Sequence, residues 1–534
     1  MASSSPLSDT LLRRLLLIGA GVVICLVLLP VLGMVMSAGQ PTGLVTPPPV
    51  SFSRLLPLIG RTLALALLVS GLSLALGTWL AWATVKSRYL GSRLLAQLGI
   101  LPLVIPSYLL AAILREELAP RGVLGELLGT QSAFMGFSAS VFVLTLCCTP
   151  YVQLLVVASL RSLPASEDEA ARSLGAGPWR RFTRLAAPRL RPTWAFSLAL
   201  VALYVVSDFG AVAVLDCEVL TWELYKARGA SDAYRIGLGI LVCALPLLAL
   251  IRLLQGQAHP DRHQGAARAA SPAPLLRGWP LLLAYLSHLL MIGIGVAIPV
   301  ASLMGWVLDG IEHQANFAAI GAPLLTTLAY ATLGAALVLL AALLPAAASS
   351  RLPKHSAWVE HGVFATSSVP GILLAFGILH LVLYLERNLP IAAAGQNLWS
   401  WLEGGSVFLL LGYIMRFLSQ GYAAAKPAIV QVDTRLVDAA RSLGADTLRR
   451  IRTVWLPSMA PGMLAAYMLL FIAVAKELPV TLMLLPAGKQ TLAYRIFDGQ
   501  SEASLPDVGL AGLLLLAAAL GVQAALSRWR RYAH

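Results

Sequence analysis

Glu169-Ala170-Ala171-Arg172-Ser173-Leu174-Gly175-Ala176 is written a second time, 269 residues later, as Asp438-Ala439-Ala440-Arg441-Ser442-Leu443-Gly444-Ala445. The same offset pairs Arg180 and Arg181 with Arg449 and Arg450, Pro188 with Pro457, and Pro192 with Pro461. From Ala170 to Pro192, 11 of 23 positions match their partners, too many for two unrelated basic loops. Each copy is a short, helix-forming island in an otherwise apolar chain. The repeat reads as a duplicated body whose halves offer the same polar handle on one side.

That body belongs in a membrane. Of 534 residues, 58% are hydrophobic and 12% charged, against about 25% charged in soluble domains. Mean hydropathy is +0.79, and apolar runs long enough to cross a hydrocarbon core of about 30 Å recur. Leu15 to Met36 is read as a retained first helix, longer than a signal-peptide core of about 7–15 residues. The formal charge of +14 does not signal nucleic acid here, because it follows the excess of Lys and Arg in cytoplasmic loops. Cys25, Cys147, Cys148, Cys217 and Cys243 show no metal-ligand or CxxC spacing and read as small apolar residues.

Hydropathy predicts twelve helices. The first half holds 13–36, 58–84, 94–114, 136–160, 193–215 and 235–254; the second holds 281–308, 323–348, 357–384, 405–425, 462–485 and 507–527. The N-terminus and the segments after every second helix carry 27 Lys and Arg, the opposite loops 10. This bias places both termini and both islands in the cytoplasm. Residues 256–280, rich in Gly, Pro and polar groups, read as a linker between halves 1–255 and 281–534. An even number of spans separates the islands, so the halves are parallel repeats. Thr62-Leu63-Ala64 and Thr327-Leu328-Ala329 extend the duplication to the second helix of each half.

In the first island Glu167, Asp168 and Glu169 form an acidic first turn that suits a helix N-terminus, and the second follows the same plan with Val437 and Asp438. Ala170, Ala171 and Leu174, like Ala439, Ala440 and Leu443, form a slim apolar face. Gly175 and Gly444 then allow a turn or the close approach of another backbone. The full spacing is Glu169-Ala170-Ala171, Gly175, Leu185-x-Ala187-Pro188, repeated as Asp438-Ala439-Ala440, Gly444, Val454-x-Leu456-Pro457. It resembles the signature loop of ABC importer permeases, with Asp438 where Glu is usual and Ala187 where a larger apolar residue is common. The resemblance implies an all-α polytopic protein of two fused six-helix permease halves, similar to type I importers. Their coupling loops would be about 161–192 and 426–461. It also implies a bacterial inner-membrane location, lipid contact, two copies of a cytoplasmic ATPase subunit on the islands, and a periplasmic substrate-binding protein outside. ATP and magnesium would belong to the ATPase and no cofactor to this chain. In agreement, no Gly-x4-Gly-Lys-Ser/Thr phosphate loop occurs: Gly488-Lys489 is followed by Gln490.

Two acids fall where charge is costly. Asp208, in Ser207-Asp208-Phe209-Gly210, and Glu477, in Lys476-Glu477-Leu478-Pro479, are again 269 apart. Intramembrane charges generally line a path or find a partner. Asp208 and Glu477 therefore read either as path-lining groups attractive to cations, with Lys476 partly neutralising Glu477, or as anchors that hydrogen-bond between helices. Gly210 and Pro479 can open their helices locally. Arg416 reads as snorkelling to the cytoplasmic surface. Glu116, Glu117, Asp216, Glu218 and Glu223 read as solvated loop charges. No His, Asp and Glu cluster has the look of a metal site.

These stretches sharpen the resemblance. Residues 207–215 with Thr221-Trp222-Glu223-Leu224-Tyr225, residues 476–485 with 490–495, and Gly412 to Leu418 are similar to segments of ferric iron importer permeases. Fused two-half chains also serve thiamine and aminophosphonate systems, so both remain alternatives to iron(III). An ion-coupled secondary transporter, with Asp208 and Glu477 as relays, is the rival from another class. Twin docking islands have no use in such a carrier.

Overall fold

The apolar chain becomes helix almost throughout. The computed structural model describes residues 17–25, 29, 33, 52–162, 165–227, 233–257, 275–366, 369–388, 406–501 and 504–532. Among these, β structure is limited to one isolated bridge between Arg88 and Leu275. Nine described helices are long and apolar enough to cross a membrane: Ser53–Lys86, Gly136–Arg161, Trp179–Ser207, Tyr234–Ile251, Trp279–Glu312, Phe317–Ser350, Val407–Val430, Ile451–Ala475 and Leu505–Ala525. A bent pair, Ser92–Val104 with Ser107–Glu117, makes a tenth if counted as one span.

The remaining differences from twelve have local causes. The expected span at 94–114 bends by 97° because Ile105 precedes Pro106 and takes an extended conformation. The expected span at 357–384 is two helices, Pro353–Ala365 and Gly371–Asn388, restarting after Pro370. Of the expected first span, residues 17–25 are helical, and much of the rest lies outside the described residues. Most of the expected linker at 256–280 lies outside them as well.

The chain forms two compact units that do not coincide with the sequence halves. One gathers Val50–Lys226 and Arg235–His313; the other gathers Met1–Pro49, Ala227–Tyr234 and Gln314–His534. In effect each half lends its opening helix to the unit built around the other half. In the first unit, Trp79 donates its indole N–H to Ser287 at 3.0 Å, and Tyr285 donates to the Leu90 carbonyl at 2.9 Å. In the second, Ile24 lies so close to Gly362 that a Cβ there would meet it at 2.6 Å.

Among the described residues, three widened, π-type turns interrupt long helices: Phe182–Ala186, Gly293–Ala297 and Ile451–Trp455. Each is followed, after one intervening residue, by a proline, namely Pro188, Pro299 and Pro457. Proline lacks an N–H and crowds the carbonyl four residues back, and the wider turn relieves both problems. Two of these turns are 269-residue equivalents, so the repeat preserves a defect as well as a sequence.

Candidate functional site

The islands fold identically. The first is the helix Ala165–Ser173, with Glu167 and Asp168 in its first turn. The second is Thr434–Ser442, where the Asp433 carboxylate accepts the Arg435 N–H. Both end in the same capped turn. Ala176 N–H reaches the Ala171 carbonyl at 2.9 Å and Gly175 N–H reaches Arg172 at 2.9 Å. Their equivalents, Ala445 to Ala440 and Gly444 to Arg441, are both 3.0 Å. This crossed pattern requires a left-handed residue after the helix, and Gly175 and Gly444 have φ of +75° and +79°. A Cβ on either would meet nothing within 4 Å. Of the two roles open to these glycines, the turn is the one observed.

The turn projects a leucine. Leu174 and Leu443 are 87% and 86% exposed. Glu169 and Ala170, like Asp438 and Ala439, are exposed on the same helices, with Ala171 and Ala440 half-buried behind them. Pro188 and Pro457 lie beyond the tip, as the second residues of Ala187–Ser207 and Leu456–Ala475.

Those spans carry the second feature at their far ends. Pro188 and Asp208 sit at opposite ends of the helix Ala187–Ser207, about 30 Å apart at 1.5 Å per residue, so islands and acids are distinct sites. At both acids the long helix stops and a short one begins: Gly210–Val214 after Asp208, and Pro479–Leu484 after Glu477. Asp208 Oδ1 accepts the Ala211 N–H at 3.0 Å. Glu477 Oε2 accepts the N–H groups of Val480 at 3.0 Å and Thr481 at 3.2 Å. Each carboxylate, buried, thus satisfies the otherwise orphaned amides of a helix start.

A second helix start meets each acid. Ser107, opening Ser107–Glu117, donates its hydroxyl to Asp208 Oδ2 at 2.7 Å. Gly371 opens Gly371–Asn388, and a Cβ there would lie 3.1 Å from Glu477 Oε1 and 3.5 Å from Arg416 Nε. Arg416, expected to snorkel, instead brings its Nε to the same side of Gly371 that Glu477 occupies. Lys476 is half-buried beside it. The sequence does contain this second repeat, Pro106-Ser107-Tyr108-Leu109-Leu110-Ala111 against Pro370-Gly371-Ile372-Leu373-Leu374-Ala375. Its offset is 264, not 269, so it is invisible in the island register.

Thr62 and Thr327 also turn out to be equivalent in role. Each donates to the carbonyl four residues back, both at 2.8 Å. Each then accepts a backbone N–H, from Leu220 at 3.1 Å and Leu492 at 2.7 Å. Leu220 and Leu492 start the helices Leu220–Lys226 and Leu492–Ser501. Nearby, Glu223 is not the solvated charge expected: its side chain is 7% exposed and pairs with Arg54 and Lys226. Glu218 pairs with Arg61, and Asp216 accepts the Trp222 indole N–H.

Comparison with known proteins places this architecture. The family of binding-protein-dependent transport system inner membrane components matches residues 73–263 and again 339–532. The chain is 24% identical over 464 residues to the Fe(3+)-transport system permease protein FbpB 2 of Haemophilus influenzae, covering 84% of this chain and 85% of that one. It is 24% identical over 438 residues to the ferric transport system permease protein FbpB of Actinobacillus pleuropneumoniae, covering 75% and 61%. A probable sulfate transport system permease protein, cysT of Nephroselmis olivacea, is 27% identical over 205 residues, covering 36% of this chain and 72% of its own. With two family matches, a twice-built island and an all-helical body, the chain belongs to the binding-protein-dependent transport system inner membrane components, as a fused two-half permease resembling the ferric ones.

Proposed function

We propose that this chain is the whole transmembrane path of an ATP-driven importer that carries iron(III) from periplasm to cytoplasm. The reading rests above all on the identical capped turns at Gly175 and Gly444, each lifting an exposed leucine on a helix of the same polarity. Two copies of one ATPase subunit fit two copies of one handle. ATP and magnesium sit on that partner, and a substrate-loaded binding protein delivers cargo from outside. Closure of the ATPases draws the islands together and moves the attached spans between outward and inward access. Both termini then lie in the cytoplasm, in line with the positive charge bias.

Iron(III) is favoured as cargo because the ferric relatives span both halves, whereas the sulfate relative matches little more than one third of the chain. The buried acids support a structural role more than cargo attraction, since their oxygens already serve helix starts. In that role they hold the broken spans open at the path wall. The direct test reconstitutes the purified chain in vesicles with the ATPase and binding protein encoded beside it. Uptake of iron(III) that requires ATP and both partners supports the reading. Uptake driven by an ion gradient without an ATPase would overturn it.

A further inference from the structure

The Asp208 carbonyl stands just past the end of Ala187–Ser207, where the turn that would supply its donor is missing. Thr221, 13 residues on, supplies it: its hydroxyl donates to that carbonyl at 2.8 Å, with both groups buried. In the second half the Glu477 carbonyl also accepts a threonine hydroxyl at 2.8 Å, from Thr481 of the short helix that follows it. In the first half the donor belongs to a separate helix, Leu220–Lys226.

That helix joins the break to the surface. Phe209 packs against Trp222 and Tyr225, with ring centroids 6.2 and 5.3 Å apart. Trp222 stacks on Tyr225 at 5.7 Å, and its indole donates to the exposed Asp216 at 2.7 Å. Lys226 lies over the Trp222 ring and is exposed. The same helix grips the start of Phe52–Lys86 through Thr62 and Arg54. Near the other end of Phe52–Lys86, Trp82 packs edge-on against Phe182, just beyond the first island, with centroids 4.9 Å apart. Two long helices thus run from Leu220–Lys226 to the first island. Phe52–Lys86 is gripped directly, and Ala187–Ser207 is joined by the Thr221 bond and the Phe209 ring.

We propose that Thr221 is a positioning residue that ties Leu220–Lys226 to the break at Asp208, making this helix the element that passes binding-protein docking on to the spans. This rests on the chain being an importer whose binding protein docks at the end opposite the islands. The partner meets the exposed rim of the helix; Thr221, buried, carries the load without touching the partner. Without its hydroxyl the rings still pack, but the carbonyl is left unpaired and the break moves independently of the helix. Docking then persists while its effect on the ATPases weakens.

The test places the full chain with its ATPase in lipid nanodiscs and titrates the iron(III)-loaded binding protein while ATP hydrolysis is measured. In the unaltered chain hydrolysis rises to a plateau. With Thr221→Val the rise above the basal rate falls about fivefold, within the range of coupling residues. The basal rate and the half-saturating concentration of binding protein stay as they were. Thr221→Ser keeps the hydroxyl and restores the plateau. Trp222→Ala removes the ring on Phe209, lowers the plateau as well, and serves if the valine variant misfolds. A full plateau in Thr221→Val, or in Trp222→Ala where the valine variant misfolds, overturns the proposal. So does a serine variant as poor as the valine one, or a valine variant whose only change is a raised half-saturating concentration. If the unaltered chain supports ATP hydrolysis but never responds to the binding protein, the importer reading itself falls before any variant is made, and the proposal with it.

Discussion

Ser107 donates a hydrogen bond from its hydroxyl to Asp208, and Gly371, which stands in its place in the second half, leaves that volume to the longer Glu477. Serine with aspartate and glycine with glutamate are two divisions of one space. The acid is longer by a methylene in one half, and its neighbour carries a hydroxymethyl group in the other.

This division predicts a rescue. Gly371→Ser places atoms within 3.1 Å of Glu477 Oε1, and overpacking of this kind costs about 1–3 kcal/mol. Adding Glu477→Asp withdraws the carboxylate by one methylene and recovers most of that loss. Thermal unfolding of the purified variants in detergent measures it; a double variant no better than the sum of the singles contradicts the size exchange.

Neutralising Asp208 separates capping from charge. Asn is as good a cap as Asp, whereas Ala costs about 1 kcal/mol at such positions and strands the Ser107 hydroxyl. Asp208→Asn is expected to keep iron uptake near normal and Asp208→Ala to lower it with stability. Were the negative charge itself drawing cargo, the two variants would fail equally in an uptake assay.

At the islands, Gly175→Ala and Gly444→Ala meet no neighbour, so their cost is conformational, about 1–2 kcal/mol for a left-handed L-residue. Local strain should loosen the capped turn and reduce ATPase co-purification without aggregating the chain. Asn, which tolerates this conformation, is expected to lie between Gly and Ala in the same pull-down.

Thr62 and Thr327 each supply an acceptor to a buried amide. Replacing either with Val leaves the N–H of Leu220 or Leu492 unpaired, at about 1–3 kcal/mol. Ser keeps the hydroxyl and is expected to be close to neutral. Hydrogen exchange at these two amides reads the effect directly, and equal protection in the Val and Thr chains would refute it.

How far the sequence carries can be followed residue by residue. The islands are legible because one register, 269, holds from Glu169 to Asp208 and from Asp438 to Glu477 without a gap in either copy. Thr62 and Ser107 lie in registers of 265 and 264, so a single-offset reading catches the first by its Thr-Leu-Ala phrase and misses the second. Arg416 reads as a surface charge because periodicity cannot tell which way a guanidinium turns once Gly371 leaves it room. Glu223 reads as a loop charge because its partner Arg54 is 169 residues away. Pro106 and Pro370 break helices inside apolar runs that hydropathy joins.

The exchange of opening helices bears on how such a protein is made. Residues 17–25 pack on Leu344 and Trp358, while Trp279–Ile292 packs on Trp79 and Leu90. A half synthesised alone would lack one wall of its own body and carry a helix belonging to another. Two separate genes would have to be expressed in equal amounts, and each product would be incomplete until the other arrived. A single chain fixes that ratio at one to one and delivers every borrowed helix with its lender.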